Sequence, residues 1–413
     1  MLVPGSLLML SGLVQAVVGF LAGLYLASQL GPEAFGRFAI VFALSGVALS
    51  IATLRIDVLI IRAPESEFTR DRQETYFSAL AIETMSVGLL AAMAVALTGG
   101  SQVWDFLLVI SQCALHWIGV NKAFFERGMP YKQLTMIEAG ATLLGHLAAV
   151  ALVAAGVGAA ALYLREVLFA LAQLVGLYAV GGLTLVRVRL PAWQQWRQLL
   201  RDARAVWLDA ALEGSFQRIT TLVASGLGTD RQVGHYFMAQ SLAMRPNQLL
   251  GPATSRLAAN WLRHLGHDQA QRSVLNRLLW WVTAPLAATA VVTLLFADPL
   301  VGIVLGENWL EATPVLQALL GVILFQTLFE ILRTYTLVTR RMHLIMASRL
   351  AQYLGFAVTL GGTLLLPLPP MAALGIAASA SFFLAFATLW CAIYLYAPAV
   401  DRADHGSGAK TGQ

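Results

Sequence analysis

The chain has 413 residues, of which 58% are hydrophobic and only 12% are charged, and its mean hydropathy is +0.71. Soluble domains carry roughly 25% charged residues, so this composition excludes an ordinary soluble protein. A helix needs about 20 mostly apolar residues to cross a bilayer, and the chain is long enough for many such helices. We therefore expect a multi-pass membrane protein.

Apolar runs separated by glycine, proline and charge clusters predict an all-α polytopic membrane protein with twelve transmembrane helices. The predicted spans are 5–26, 36–61, 75–98, 103–121, 133–155, 158–182, 205–227, 233–258, 278–297, 312–338, 343–366 and 371–397. The first run lacks the basic segment and cleavage site of a signal peptide, so we expect it to be retained as span one.

Lysine and arginine are concentrated on one side of these spans. The gaps after even-numbered spans, with the C-terminal tail, hold 19 of them: Arg62, Arg70, Arg72, Lys122, Arg127, Lys132, Arg187, Arg189, Arg197, Arg201, Arg204, Arg256, Arg263, Arg272, Arg277, Arg340, Arg341, Arg402 and Lys410. The gaps after odd-numbered spans hold only Arg37 and Arg231. Cytoplasmic loops carry such an excess, so both termini are predicted to be cytoplasmic. The net charge of +5 then faces an anionic leaflet, and no nucleic-acid partner is needed to account for it.

A short segment occurs twice, about half the chain apart. The first copy is Leu26-Ala27-Ser28-Gln29-Leu30-Gly31 followed by Gly36-Arg37-Phe38, and the second is Val223-Ala224-Ser225-Gly226-Leu227-Gly228 followed by Gly234-His235-Tyr236. A duplicated pair of spans is typical of transporters built from two halves. The charge pattern puts both copies on the non-cytoplasmic side, where their glycines suit tight turns and close packing.

The repeat predicts two six-helix lobes. The N-terminal lobe is 1–190, a linker helix covers 191–206, the C-terminal lobe is 207–398, and 399–413 is a disordered cytoplasmic tail. The linker has an apolar face flanked by arginines, as in helices that lie on a membrane surface. That face consists of Trp193, Trp196, Leu200, Ala203 and Trp207.

Six arginines fall inside the predicted spans: Arg55, Arg165, Arg218, Arg245, Arg333 and Arg349. A charge near the bilayer centre costs at least about 2.5–3.5 kcal/mol, so each should face a partner or a hydrated cavity. Polar stripes at helical spacing favour a cavity. We predict a cationic, substrate-binding lumen formed by Arg55, Arg218, Arg245, Arg333, Gln217, Gln240 and Asn247, with Asp209, Glu213 and Glu138 as candidates for ion coupling. The alternative is helix-joining pairs, such as Glu330 with Arg333 or Glu213 with Arg218.

Three prolines interrupt predicted spans and indicate kinks, either as hinges or as simple curvature. Pro246 and Pro252 lie in span eight, and Pro285 lies in span nine.

Motifs for chemistry are missing from the sequence. There is no Gly-rich phosphate-binding loop for ATP hydrolysis. His264 and His267 form a lone His-x-x-His without further ligands, so neither a metal site nor a cofactor is expected. His116 and His146 lie within spans, where packed neutral histidines are commoner than proton carriers. We predict no catalytic residues and no enzyme activity.

Three stretches carry a family resemblance. They are Leu26 to Phe38 with its turn Leu30-Gly31-Pro32-Glu33-Ala34-Phe35-Gly36; Ala297-Asp298-Pro299-Leu300 through Leu305-Gly306-Glu307-Asn308-Trp309-Leu310-Glu311-Ala312 to Leu316-Gln317-Ala318-Leu319-Leu320-Gly321; and Arg127-Gly128-Met129-Pro130. Together with the span count and the charge pattern, they resemble Wzx-type flippases of lipid-linked oligosaccharides, in the MATE/MOP transporter superfamily.

The resemblance implies a V-shaped bundle around a central cavity, in the bacterial inner membrane. It implies undecaprenyl-pyrophosphate-linked oligosaccharide units as substrate, of O-antigen, exopolysaccharide or capsule type. The implied partners are membrane lipids, a polysaccharide polymerase and a chain-length regulator. A drug or cation antiporter of the same superfamily is the alternative, but intramembrane arginines rival the carboxylates. A membrane polymerase or ligase is disfavoured by the short gaps between spans.

Overall fold

The computed structural model describes residues 2–98, 101–184, 186–264, 268–339 and 341–395. Within these ranges the chain forms fourteen α-helices and two short 3₁₀ turns, and no strand. The predicted all-α class is therefore confirmed.

The helices follow one another with short connections. They are α1 (Leu2–Ala52), α2 (Ile56–Arg62), α3 (Arg70–Leu97), α4 (Val103–Glu126), α5 (Tyr131–Ala154), α6 (Ala160–Ala179), α7 (Trp193–Leu227), α8 (Asp230–Ala243), α9 (Arg245–His264), α10 (Asp268–Val304), α11 (Thr313–Ala318), α12 (Leu320–Val338), α13 (Met342–Thr363) and α14 (Pro370–Leu395). The 3₁₀ turns are Glu65–Glu67 and Glu307–Ala312.

The first two predicted spans lie in α1 as two helical segments that meet at a kink. Gly31 has φ 74° and ψ 172°, a conformation that glycine adopts without a Cβ penalty. Pro32 then opens the second helical segment, where its missing N–H leaves no intrahelical bond unmade. The gap predicted between residues 26 and 36 is thus reduced to this kink.

The second segment of α1 ends before residue 61, where span two was predicted to end. Arg55 takes a left-handed conformation with φ 54°, which is uncommon outside glycine, and α2 begins at the next residue. The residues between Ala52 and Ile56 therefore separate two helices that hydropathy alone runs together.

The predicted linker helix is present, but it does not end at 206. α7 continues from Trp193 through Leu227, so the linker and the seventh predicted span are one helix. Trp196 and Leu199 pack against a core cluster formed by α2, α3 and α4, whereas Trp193 is exposed. This packing, rather than a membrane surface, covers part of the predicted apolar face.

Of the three helix interruptions predicted at prolines, the structure shows one. α8 ends at Ala243 and α9 begins at Arg245, directly before Pro246. α9 continues through Pro252. α10 continues through Pro285 and has its non-helical residue at Phe296.

Nine helical stretches of the described chain are long and apolar enough to cross a membrane. They cover ten of the predicted spans, because Val14–Ala52 contains the first two. Predicted spans seven and eight are not among these stretches: α7 carries many polar residues, and α8 has only 14 residues. The count of twelve spans stays a prediction.

The chain divides into two compact units. Unit 1 is Met1–Phe237 with Gly302–Leu310, and unit 2 is Met238–Val301 with Glu311–Gln413. The core described for unit 1 joins α2, α3, α4 and α7, and that of unit 2 joins α9, α10, α12, α13 and α14. The predicted lobes, which split the chain at 191–206, stay a prediction, and the tail 399–413 lies outside the described residues.

Candidate functional site in unit 1

Arg218 on α7 reaches the last two turns of α1. Its Nη1 donates to the carbonyl oxygen of Gly46 at 3.1 Å, to Oγ of Ser50 at 2.5 Å, and to the carbonyl oxygen of Gly214 at 3.0 Å. The guanidinium carbon lies 6.0 Å from the centre of the Phe42 ring. These contacts fix the arginine at the interface of α1 and α7.

Glycines on both helices make room for this guanidinium. A Cβ on Gly46 would collide with the Arg218 side chain. A Cβ on Gly214 would lie 2.8 Å from Oγ of Ser50, closer than real Cβ atoms approach. The arginine therefore depends on a close approach that small residues provide, as is usual between membrane helices.

All the groups that bind Arg218 are neutral. Among the described residues, no carboxylate lies within ion-pair distance of it, and its hydrogen bonds all use Nη1. The alternative pairing of Glu213 with Arg218 is therefore wrong. A half-buried guanidinium with neutral partners keeps its full charge for an anion, and its planar fork suits phosphate oxygens.

The other predicted residues of unit 1 have different settings. Asp209 is buried and Glu213 is half-buried, both on α7 with Gln217 and Arg218. Glu138 on α5 is half-exposed and pairs with Nζ of Lys122 at 2.9 Å. The role of these three residues in ion coupling stays a prediction.

Arg55 is not an unpaired cation. Its Nη2 lies 3.1 Å from Oδ2 of Asp57, and its Nε donates to Oδ1 of the same carboxylate at 3.2 Å. Both side chains are about one-third exposed. The carboxylate two residues away balances the charge, so the assignment of Arg55 to a cationic lumen lacks the support that unpaired arginines gave it.

In unit 2, two arginines share one carboxylate. Nη1 of Arg333 lies 3.2 Å from Oε2 of Glu330, as in the alternative pairing, and Nη2 of Arg349 lies 3.7 Å from Oε1 of the same residue. Arg349 is only 3% exposed, and its guanidinium lies over the ring of Phe329 at 4.6 Å. The carboxylate of Glu330 thus contacts both arginines.

Sequence reasoning placed Arg349 inside a span but left it out of the predicted site. The spacing of Glu330 and Arg333 is visible in the sequence, because residues three apart lie on one helix face. Nothing local shows that α13 brings Arg349 to the same carboxylate. Only the packing of helices reveals the three-residue cluster.

The remaining predicted residues of unit 2 lie around the start of α9. Nη1 of Arg245 donates to Oε1 of Gln248 at 3.0 Å. Oδ1 of Asn247 is buried and has no hydrogen bond among the described residues, and Gln240 on α8 is buried. The predicted site residues therefore belong to both units, and their role as one site stays a prediction.

The two copies of the duplicated segment touch each other in unit 1. A Cβ on Gly36 would collide with the carbonyl oxygen of Asp230, and a Cβ on Gly234 would collide with that of Pro32. Each glycine is thus packed against the backbone of the other copy. This agrees with close packing as the role of these glycines.

Trp309 joins the second family motif to both copies. The ring is 1% exposed and its Nε1 donates to the carbonyl oxygen of Ala27 at 3.0 Å. It makes edge contacts with Phe35 and His235, at 5.7 and 5.6 Å between ring centres. Two stretches that carried the resemblance are therefore one packed structure.

Comparisons with known proteins agree with this architecture. Among solved structures, the lipid II flippase MurJ in an inward closed conformation matches with a TM-score of 0.75 and 10% identity, over 94% of this chain and 87% of that chain. An inward-facing multidrug resistance MATE family transporter of the MOP superfamily matches with a TM-score of 0.65 and 13% identity, over 94% and 96%. A MOP superfamily transporter from Pyrococcus furiosus matches with a TM-score of 0.55 and 15% identity, over 95% of each chain.

At these identities, the structural matches show the fold alone. None of the proteins with curated functions matches the chain. The model of the family described as polysaccharide biosynthesis protein matches residues 25–314, about 70% of the chain, including Arg218 and both copies of the duplicated segment. The chain belongs to this polysaccharide biosynthesis family and has the fold of the MOP superfamily.

Proposed function

We propose that this protein is a flippase that moves undecaprenyl-pyrophosphate-linked oligosaccharide units across the bacterial inner membrane by alternating access. The coarser conclusion, a flippase or transporter of the MOP superfamily, follows from the family and the fold. O-antigen, exopolysaccharide and capsule units share the pyrophosphate group on which the proposal depends.

The observation that carries the proposal is the neutral environment of Arg218. An antiporter of cationic drugs needs a site that attracts cations, which a guanidinium without a carboxylate partner opposes. A pyrophosphate carries the opposite charge and accepts bidentate hydrogen bonds from arginine.

The family and the fold support transport as the activity. Asp209, Glu213 and Glu138 remain candidates for ion coupling. A polymerase and a chain-length regulator remain proposed partners, since both would act on the translocated unit.

Deletion of the gene tests the function directly. We expect lipid-linked repeat units to accumulate on the cytoplasmic leaflet and surface polysaccharide to fall. Normal surface polysaccharide in a deletant without a redundant gene would overturn the proposal.

Complementation with variants tests the cationic site. Hydrogen bonds to charged groups contribute about 1.5–3 kcal/mol each, so Arg218→Ala should lower the flipping rate about 10- to 100-fold. Arg218→Lys keeps the charge but loses the fork, and should fall between Arg218→Ala and the wild type. Arg201→Ala is the matched control, because Arg201 is an exposed arginine on the same helix. If Arg218→Ala and Arg245→Ala both complement fully, the assignment of the site is wrong.

A further inference from the structure

We propose that Glu83 and His116 form a proton-binding site in unit 1, and that its occupancy is transmitted to Arg218 through the last two turns of α1. The role of Arg218 in binding substrate rests on the proposed function. The proton site and its mechanical link to α1 stand on their own geometry.

Glu83 on α3 is a buried carboxylate whose two oxygens have different surroundings. Its Oε1 accepts a hydrogen bond from the backbone N–H of Leu54, at the break between α1 and α2. Its Oε2 is buried and has no hydrogen bond among the described residues. The residue as a whole is only 8% exposed.

His116 on α4 faces Oε2 of Glu83, the oxygen without a hydrogen bond. Its Nε2 lies 3.8 Å from Oε2 of Glu83 and is also buried without a hydrogen bond among the described residues. A hydrogen bond requires about 2.7–3.2 Å between such atoms, so the pair is just too far apart. One proton between Nε2 and Oε2 would give both atoms a partner and draw the side chains together.

In this step one O–H bond of a hydronium ion breaks, one bond to the proton forms at Nε2 or Oε2, and a water molecule is released. Leaving a buried polar atom without a partner is unfavourable, and the pair holds two such atoms. Binding the proton satisfies both, and releasing it restores the separated state. The site therefore has two arrangements that differ in the distance between α3 and α4 side chains.

The charged groups on the surrounding elements are engaged with each other. Arg55 pairs with Asp57 at the start of α2, Arg37 of α1 pairs with Asp105 of α4, and Lys122 of α4 pairs with Glu138 of α5.

The charged groups on α3 itself are also paired. Arg72 pairs with Glu67 and Asp202, and Glu74 pairs with Arg70 and Arg189. Asp71 of α3 binds Arg189, while Glu126 ends α4 and Glu33 lies on α1 beside the kink. None of these groups makes a described contact with the Glu83 carboxylate, whereas Nε2 of His116 lies 3.8 Å from it.

The break in α1 connects this site to Arg218. Leu54 lies directly before Arg55, whose left-handed conformation is unfavourable for a residue other than glycine. The hydrogen bond from Leu54 to Glu83 helps to hold the backbone in this strained form. Gly46 and Ser50, which bind Arg218, lie on the same stretch of α1 within two turns of Leu54. A movement of Glu83 towards His116 therefore pulls on the segment that positions Arg218.

Infrared difference spectra of the full-length protein in lipid nanodiscs, recorded as pH is varied, test the proton site. We expect a pH-dependent carboxyl or carboxylate band in the wild type that Glu83→Gln removes. Glu74→Gln is the matched control, since Glu74 is a paired carboxylate on the same helix, and should keep the band. His116→Gln should move the pH at which the band appears. An unchanged band in Glu83→Gln, or an unchanged pH in His116→Gln, would overturn the proton site.

Trp207 offers a built-in reporter of the link to α1. Its Nε1 donates to the carbonyl oxygen of Ile51 at 2.7 Å, one turn before Leu54. We expect a pH-dependent change in tryptophan fluorescence that is lost in both Trp207→Phe and Glu83→Gln. A change that persists in Glu83→Gln would show that α1 responds to another group. Failure of the proposed function would leave both spectroscopic results intact, so the two conclusions fail separately.

Discussion

The two ends of the second α1 segment are held in different ways. Near the kink, Gly36 lies against the backbone of the other repeat copy, and Trp309 packs against Phe35. At the far end, Ser50 binds a guanidinium and Leu54 binds a buried carboxylate. Backbone contact and aromatic packing hold the first end, and charged groups hold the second.

The difference separates a structural contact from a chemical one. Close backbone packing tolerates no added atom, and it needs no particular charge. A guanidinium with neutral partners and a carboxylate with an unused oxygen are poor choices for stability alone. We infer that the first end maintains a conformation of α1, and that the second end responds to ligands.

The largest expected effect is at the packed end. Gly36→Val places side-chain atoms where the Asp230 backbone lies, and should destabilise unit 1 by more than about 3 kcal/mol, the upper range of ordinary overpacking. Thermal unfolding of the purified protein in detergent measures the loss. Gly23→Ala on the same helix is the control, because nothing lies within 4 Å of the added Cβ. Equal stability of the two variants would contradict the close contact.

The next largest loss of stability is expected for substitutions of Trp309. Trp309→Ala removes a buried ring and should cost about 3–5 kcal/mol of stability. Trp309→Phe keeps most of the ring contacts and loses the hydrogen bond to Ala27, at about 1 kcal/mol. Unfolding in detergent separates the two variants. A phenylalanine variant as unstable as the alanine variant would mean that the hydrogen bond dominates.

At the charged end, Ser50→Ala removes a single hydrogen bond from Arg218. The expected loss of stability is small, about 1 kcal/mol, because the guanidinium keeps its bonds to Gly46 and Gly214. The rate of flipping should fall by a larger factor than the fraction of folded protein does, since the arginine is less well positioned. Assays of both quantities on one preparation test this, and a purely structural role would lower them in parallel.

Arg55→Ala should have the smallest effect. Its pair with Asp57 is about one-third exposed, and such pairs contribute about 0–1 kcal/mol. Complementation close to wild type is expected. A loss as large as that of Arg218→Ala would restore Arg55 to the cationic site.

The sequence predicted much of the fold because membrane burial acts on each segment separately. A run such as the one in α14 must be helical in lipid, whatever it packs against, to satisfy its backbone groups. Ten of the predicted spans match stretches that are long and apolar enough to cross a membrane. The exceptions are α7, which carries many polar residues, and α8, which has only 14 residues.

The sequence alone could not predict which side chains on different helices make contact. The i, i+3 pair of Glu330 and Arg333 was foreseen, because both residues lie on one helix face. The contacts of Glu83 with Leu54 and His116 join three elements, and no local pattern signals them. Arg218 was identified as a buried cation, but its neutral partners depend on how close α1 comes to α7.

By itself, the sequence determined that this is a helical membrane protein with a duplicated segment, and it pointed to the family to which the chain belongs. Those features depend on composition and local pattern, which a single segment carries. Only the tertiary structure decided which charges are neutralised: Arg55 has a carboxylate partner and Arg218 has none among the described residues. The reason is physical, since the energy of a charge in a membrane protein depends on neighbours brought together from distant parts of the chain.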